Sequence, residues 1–113
     1  MGLGSTFTIT PTATGRVLFH IQGQVVQSTA GAYSNIQLRY GTGTAPANAA
    51  APTGTAATNL YTIAVGAITA SGFHISAVAT GLTKGTAYWF DLVSSASSGT
   101  TTLQNVNANA VEC

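Results

Sequence analysis

The side chains of this chain that could do chemistry are two histidines, His20 and His74, two carboxylates, Asp91 and Glu112, one cysteine, Cys113, and many hydroxyls. Hydrolysis by a serine nucleophile would need a histidine and Asp91 to converge on one serine. No Gly-x-Ser-x-Gly elbow is present, and the Ser-Gly pairs read as turns. Glycoside hydrolysis would need Asp91 and Glu112 to face each other, yet Glu112 is the penultimate residue. Lys84-Gly85-Thr86 lacks the glycine spacing of a phosphate loop. A metal site within one chain would need His20, His74 and a carboxylate to converge without any motif spacing. One histidine from each of three copies around an axis would need no motif. Both histidines read more simply as outward strand residues among polar neighbours, Gln22 and Gln24 for His20 and Ser76 for His74. The expectation is a protein that is not an enzyme, with no catalytic, cofactor-binding or metal-binding residues and no cofactor. Asp91 lies among aromatic residues. A buried carboxylate needs a partner, and Arg16, Arg39 and Lys84 are the cations on offer, so Asp91 pairs with an arginine, within the chain or between chains, or lies exposed beside Trp89. Cys113 reads as a free, inert thiol or an interchain contact.

The surroundings of these residues are almost free of charge. Charged residues are 4% of the 113, against about 25% in ordinary domains. They are Arg16, Arg39, Lys84, Asp91 and Glu112. Three scattered cations cannot neutralise a run of phosphates, so nucleic acid is not expected as a partner. The mean hydropathy is +0.32, but apolar runs such as Ile63 to Ile68 fall far short of the ~18 residues of a membrane span. A single cysteine rules out an intrachain disulfide, which fits synthesis in a cytosol. The N-terminus has no basic region followed by an apolar one, so no secretory signal is read. So little charge gives weak repulsion between copies. The expectation is a homo-oligomer or a larger assembly.

The elements that must position these groups are strands. Leu3 to Ile9 alternates weakly and reads as an edge strand ended by Pro11. Arg16 to Ser28 sets Val17, Phe19, Ile21, Gly23 and Val25 on one face and Leu18, His20, Gln22 and Gln24 on the other. Gly23 marks a bulge or a close backbone approach. Ser34 to Gly41 points Ile36, Leu38 and Tyr40 inward. Leu60 to Thr69 carries Tyr61, Ile63, Val65 and Ala67 on one face. Ala70-Ser71-Gly72 reads as a tight turn, and Phe73, Ile75, Ala77 and Ala79 share a face of the next strand. Ala87 to Val93 follows, with Tyr88, Phe90 and Leu92 opposite Trp89, Asp91 and Val93. Large groups on both sides predict a strand covered on both faces, by a core on one and by another layer or chain on the other. Ser94 to Gly99 turns into a last strand ending at Glu112-Cys113. Residues 41–59, rich in Ala, Thr, Gly and Pro, read as a surface loop or as an arm lying on a neighbouring subunit. The fold class is all-β: one domain over residues 1–113, an antiparallel β-sandwich or jelly roll of about seven to eight strands. Its predicted core is Phe19, Ile21, Ile36, Leu38, Ile63, Ile75, Tyr88, Phe90 and Leu92.

The segment Gly81-Leu82-Thr83-Lys84-Gly85-Thr86-Ala87-Tyr88 resembles the corner motif of fibronectin type III sandwiches, with Lys84 where proline is usual. The resemblance implies that the Tyr88 hydroxyl bonds back to the turn backbone. The same segment, with the Gly-containing turn and the final strand after it, also resembles the C-terminal half of trimeric jelly rolls of the tumour-necrosis-factor and C1q type. Leu38-Arg39-Tyr40-Gly41-Thr42-Gly43-Thr44-Ala45-Pro46 is similar to stretches of small phage structural proteins. These resemblances imply a bacteriophage virion protein, a capsid decoration (cement) protein or a head- or tail-fibre component. It would be made in the host cytoplasm, trimerise, bind major capsid or fibre proteins, and involve neither nucleic acid nor membrane. The fibronectin resemblance implies the alternative, an adhesive or carbohydrate-binding module that stacks Tyr33, Tyr40, Tyr61 or Trp89 on a ligand.

Overall fold

The computed structural model describes residues 2–3, 6–64 and 70–113. Eight strands form in chain order: β1 (Thr8–Ile9), β2 (Val17–Gln27), β3 (Tyr33–Gly41), β4 (Thr55–Ala56), β5 (Tyr61–Ala64), β6 (Ser71–Ala79), β7 (Tyr88–Ala96) and β8 (Thr101–Glu112). They make two antiparallel sheets. The five-stranded sheet runs β1-β7-β3, with β4 and β5 both on the far side of β3, and the three-stranded sheet runs β6-β2-β8. The fold is an antiparallel β-sandwich, and no α-helix occurs among the described residues.

The period-two patterns give the core directly. Val17, Phe19, Ile21 and Val25 of β2 face Ile36 and Leu38 of β3 and Phe90 and Leu92 of β7, and all eight are buried. Phe90 is the hub, with its ring centroid 4.6 Å from that of Phe19 and 5.5 Å from that of Phe7. Of the predicted core residues only Tyr88 is half-buried, because its hydroxyl has a separate task. It accepts the Thr83 N–H at 2.9 Å, the bond that the corner resemblance implies, and so ties the turn to the first residue of β7. At Gly23 the β2–β8 register shifts between Gln22 and Gln24. The extra residue is on β8, where Asn105 takes a φ of 52°. A Cβ at Gly23 would lie 3.2 Å from the Phe73 ring, so the glycine serves both the bulge and a close approach. Beyond the bulge the buried face of β2 ends on Gln27. Its amide donates to Ser34 Oγ at 3.2 Å, and Ser34 Oγ meets Thr101 Oγ1 at 2.7 Å.

β7 is covered on both faces, and its outer cover comes from the same chain. Trp89 and Asp91 are buried there along with Phe90 and Leu92. The segment leaving β3 crosses over Trp89, whose Nε1–H donates to the Thr42 carbonyl at 3.2 Å. Gly41 and Gly54 lie against the indole, and a Cβ on either would come within 2.7 Å of it. Small side chains in residues 41–59 thus serve contact with the chain's own Trp89, and β4 adds two residues of pairing to β3.

Three local expectations are corrected. The first strand is only Thr8–Ile9, because Leu3 starts a turn in which its carbonyl accepts the Thr6 and Phe7 N–H groups. Ser71 and Gly72 are strand residues paired with Val25 and Gln24. Turn-forming chemistry yields there to a ladder that continues along β2. β7 likewise runs on through Ser94 and Ser95 to Ala96, paired with β3. Val65 and Ala67, predicted on the strand from Leu60 to Thr69, lie outside the described residues.

Candidate functional site

Both carboxylates are engaged by backbone amides. Asp91 lies on the outer side of β7, where Oδ2 accepts the Gly2 N–H at 2.9 Å and Oδ1 accepts the N–H groups of Leu3 at 3.1 Å and Leu92 at 2.7 Å. Among the described residues of this chain, backbone amides rather than an arginine meet the carboxylate. Arg39 is directly opposite Asp91 in the β3–β7 register. Its guanidinium donates to Gln37 Oε1 and to the carbonyls of Thr53 and Gly54, which anchors the segment over Trp89. The alternative of an exposed Asp91 is overturned, since the residue is 2% exposed.

Glu112 ends β8 in a cradle of successive amides. Its oxygens accept N–H groups from Thr12, Ala13, Thr14 and Gly15 at 2.7 to 3.2 Å. Four converging donors favour the charged form. The amides of Thr12, Ala13 and Thr14 lead in lowering its pKa from 4.5 to about 2. A carboxylate held below its unfolded value contributes stability above about 4.5, and the contribution disappears as pH falls towards about 2. The melting temperature of Glu112→Gln is therefore expected below that of the parent at pH 7. The gap should narrow between pH 5 and pH 2. Melts of both proteins across that range check this, and a gap that holds constant refutes the clamp.

The histidines are on the other side of the molecule. Inward Phe19 and Ile21 turn His20 outward on the three-stranded sheet, and inward Phe73 and Ile75 do the same for His74. His20 pairs with Ser76 and His74 with Gln22, so the two rings are diagonal neighbours across β2 and β6. Their Nε2 atoms are 2.6 Å apart and the rings meet edge to face at 79°. One ring donates, and the nitrogen that accepts carries no proton. The core separates this pair from Asp91, so the His/Asp constellation considered from the sequence does not assemble from these residues. The sequence offers no local signal for the pair, because its members are 54 residues apart. Only the β2–β6 register brings them together.

Beside the histidines runs an apolar row. Leu18 is opposite Val78 on β6 and Val111 on β8, and the three are 38%, 46% and 57% exposed. The face also carries the neutral Gln22, Gln24, Ser76, Asn107 and Asn109, and exposed Arg16 at its end, where the Arg16 carbonyl accepts the Cys113 N–H. β8 forms one edge of this sheet and β6 the other. Between β6 and the start of β5 opens a cleft of about 340 Å³, with His74 on one wall and Leu60 and Tyr61 on the other.

The proposed ligand-stacking residues divide. Trp89 is buried, and Tyr40 packs against Phe19 and Tyr88 with centroids 6.0 and 6.4 Å apart. Tyr33 and Tyr61 are about half exposed. Cys113 is an exposed free thiol. Compared with models of protein families, with curated proteins and with solved structures, the chain gives no match.

Proposed function

We propose that this is a non-enzymatic structural protein of a bacteriophage virion, a capsid decoration (cement) protein or a head- or tail-fibre component. It associates with copies of itself, as a trimer, and with neighbouring capsid or fibre proteins. In this reading the sandwich is a trimerising jelly roll, made in the host cytoplasm and held in the virion, with no role for nucleic acid or membrane. The row Val78–Leu18–Val111 carries the proposal. Three aliphatic side chains cross an outer face whose strand residues are otherwise neutral, with exposed Arg16 at its end as the nearest charge among the described residues. The uncharged run of β8 from Thr101 to Val111 adds an edge without the lysines that usually guard one. Both carboxylates are spent on the chain's own amides, which supports a structural role over acid–base chemistry.

The size of the face bears on the mechanism. Three strands at about 4.8 Å spacing and nine residues at about 3.3 Å give roughly 15 × 30 Å. That is about 450 Å² of projected face, below the ~800 Å² per partner of a standard interface. One such contact is weak, and repetition over a symmetric assembly supplies the strength. Light scattering across a salt series tests the reading. The protein should be an oligomer that persists from low to molar salt, because few ion pairs are involved. Leu18→Lys combined with Val111→Lys should reduce it to monomer. A monomer at every salt concentration defeats the assembly, and dissociation by salt defeats its apolar basis.

The second reading is a fibronectin-like adhesive or carbohydrate-binding module. The Thr83–Tyr88 corner bond and the exposed rings of Tyr33 and Tyr61 favour it. A monomer whose Tyr61→Ala variant loses glycan binding would establish that alternative.

A further inference from the structure

We infer that His20 and His74 form a two-imidazole chelate for a transition-metal dication of the Zn²⁺, Ni²⁺ and Cu²⁺ class. Imidazole nitrogen suits these ions and not the hard Mg²⁺. Two Zn–N bonds of about 2.05 Å at a tetrahedral angle place the nitrogens about 3.3 Å apart. The observed Nε2–Nε2 separation is 2.6 Å. The rings need to part by roughly 0.7 Å, a small side-chain rotation on an open face. The two Nε2 atoms already form the contact between the rings, so the ion takes the place of the single shared proton. The backbone under the pair is a regular ladder, since residues 20 and 22 of β2 are in continuous register with 76 and 74 of β6.

The remaining coordination positions face solvent. The register neighbours Ser76, Gln22 and Asn109 are neutral, and no third His, Cys, Asp or Glu joins the pair among the described residues. The site is therefore half a tetrahedral shell completed by water. The bound ion ties β6, an edge strand, to the central β2. It binds the folded chain, where the rings meet, better than the unfolded chain, where they are 54 residues apart. It therefore stabilises the fold in proportion to its concentration. This inference concerns the free chain, because the assembly reading would cover the same outer face of β6-β2-β8.

The test uses the full chain with Cys113→Ser, which removes the one thiol that could bind or be oxidised by the ion. Zn²⁺ and Ni²⁺ are titrated while the melting temperature is followed, with Mg²⁺ as control. Cu²⁺ binding is read by electron paramagnetic resonance. The expected result is a rise in melting temperature with Zn²⁺ and Ni²⁺ and none with Mg²⁺. One equivalent of Cu²⁺ should show coupling to two imidazole nitrogens. Either His20→Gln or His74→Gln should lower the affinity at least tenfold and abolish the two-nitrogen signal, while the fold melts normally without metal. Equal affinity in the single variants overturns the inference, as does the absence of any response in the parent. If a variant melts abnormally, histidine ring proton shifts in the parent decide the matter. Shifts of both ring systems together, complete at one equivalent of Zn²⁺, support the chelate, and a shift of one ring without the other refutes it.

Discussion

Phe90→Ala is expected to cost about 3–5 kcal/mol, the usual range for truncating a buried phenylalanine. The site argues for the upper part of that range. Phe90 touches Phe19 from the facing sheet and Phe7 from the segment before β1, and its neighbours on both strands are held by ladders on either side. A cavity there cannot collapse without moving backbone. Marginal stabilities of ~5–15 kcal/mol leave little after such a loss. Denaturant unfolding of the parent and the variant measures it through the shift in midpoint at constant slope. A cost below about 1 kcal/mol would mean that Phe90 is not the hub of the core.

Deleting residues 108–113 is expected to abolish cooperative folding altogether. The segment pairs Ala108 with Ile21, Ala110 with Phe19 and Glu112 with Val17, so its loss uncovers the first half of β2 on one side. Ala108 and Ala110 also pack against the core. With Glu112 go the four amide bonds that hold Thr12 to Gly15. The bond from the Cys113 N–H to the Arg16 carbonyl at 2.9 Å is lost as well. β2 is the centre of its sheet, and a central strand with one bare edge exposes both unpaired backbone and the apolar groups behind it. Circular dichroism during heating is the measurement. A truncated protein with the parent's sigmoidal melt would show that the last half of β8 is dispensable.

Much of the fold was legible because sandwich strands advertise themselves. In β2, β3 and β6 one face is core and the other solvent, so burial follows the alternation of apolar and polar residues. In β7 both faces carry large groups, and the reading of a doubly covered strand was correct. Its second cover was not legible. Residues 41–59 have neither period nor large side chains, and nothing local says that Gly41 and Gly54 lie against Trp89. The fate of Asp91 shows the same limit. A search for a charged partner is sound physics, yet it does not foresee the amides of Gly2, Leu3 and Leu92 that meet the carboxylate. Backbone donors are not visible as a residue type.

The sequence by itself determined the all-β class, the inward faces of the long strands, Gly23 as the site of a bulge or a close approach, and the scarcity of charge. Each of these is a property of neighbours along the chain or of composition. Tertiary structure alone decided which strands pair and in which register. That choice set His20 against His74, aligned Val78, Leu18 and Val111 into one row, and brought Glu112 to the amides of residues 12–15. The physical reason is that antiparallel register is fixed by summed burial over a whole ladder and by the geometry of distant turns. A residue's partner across the sheet is therefore a property of the entire chain, while its choice of face is a property of its immediate neighbours.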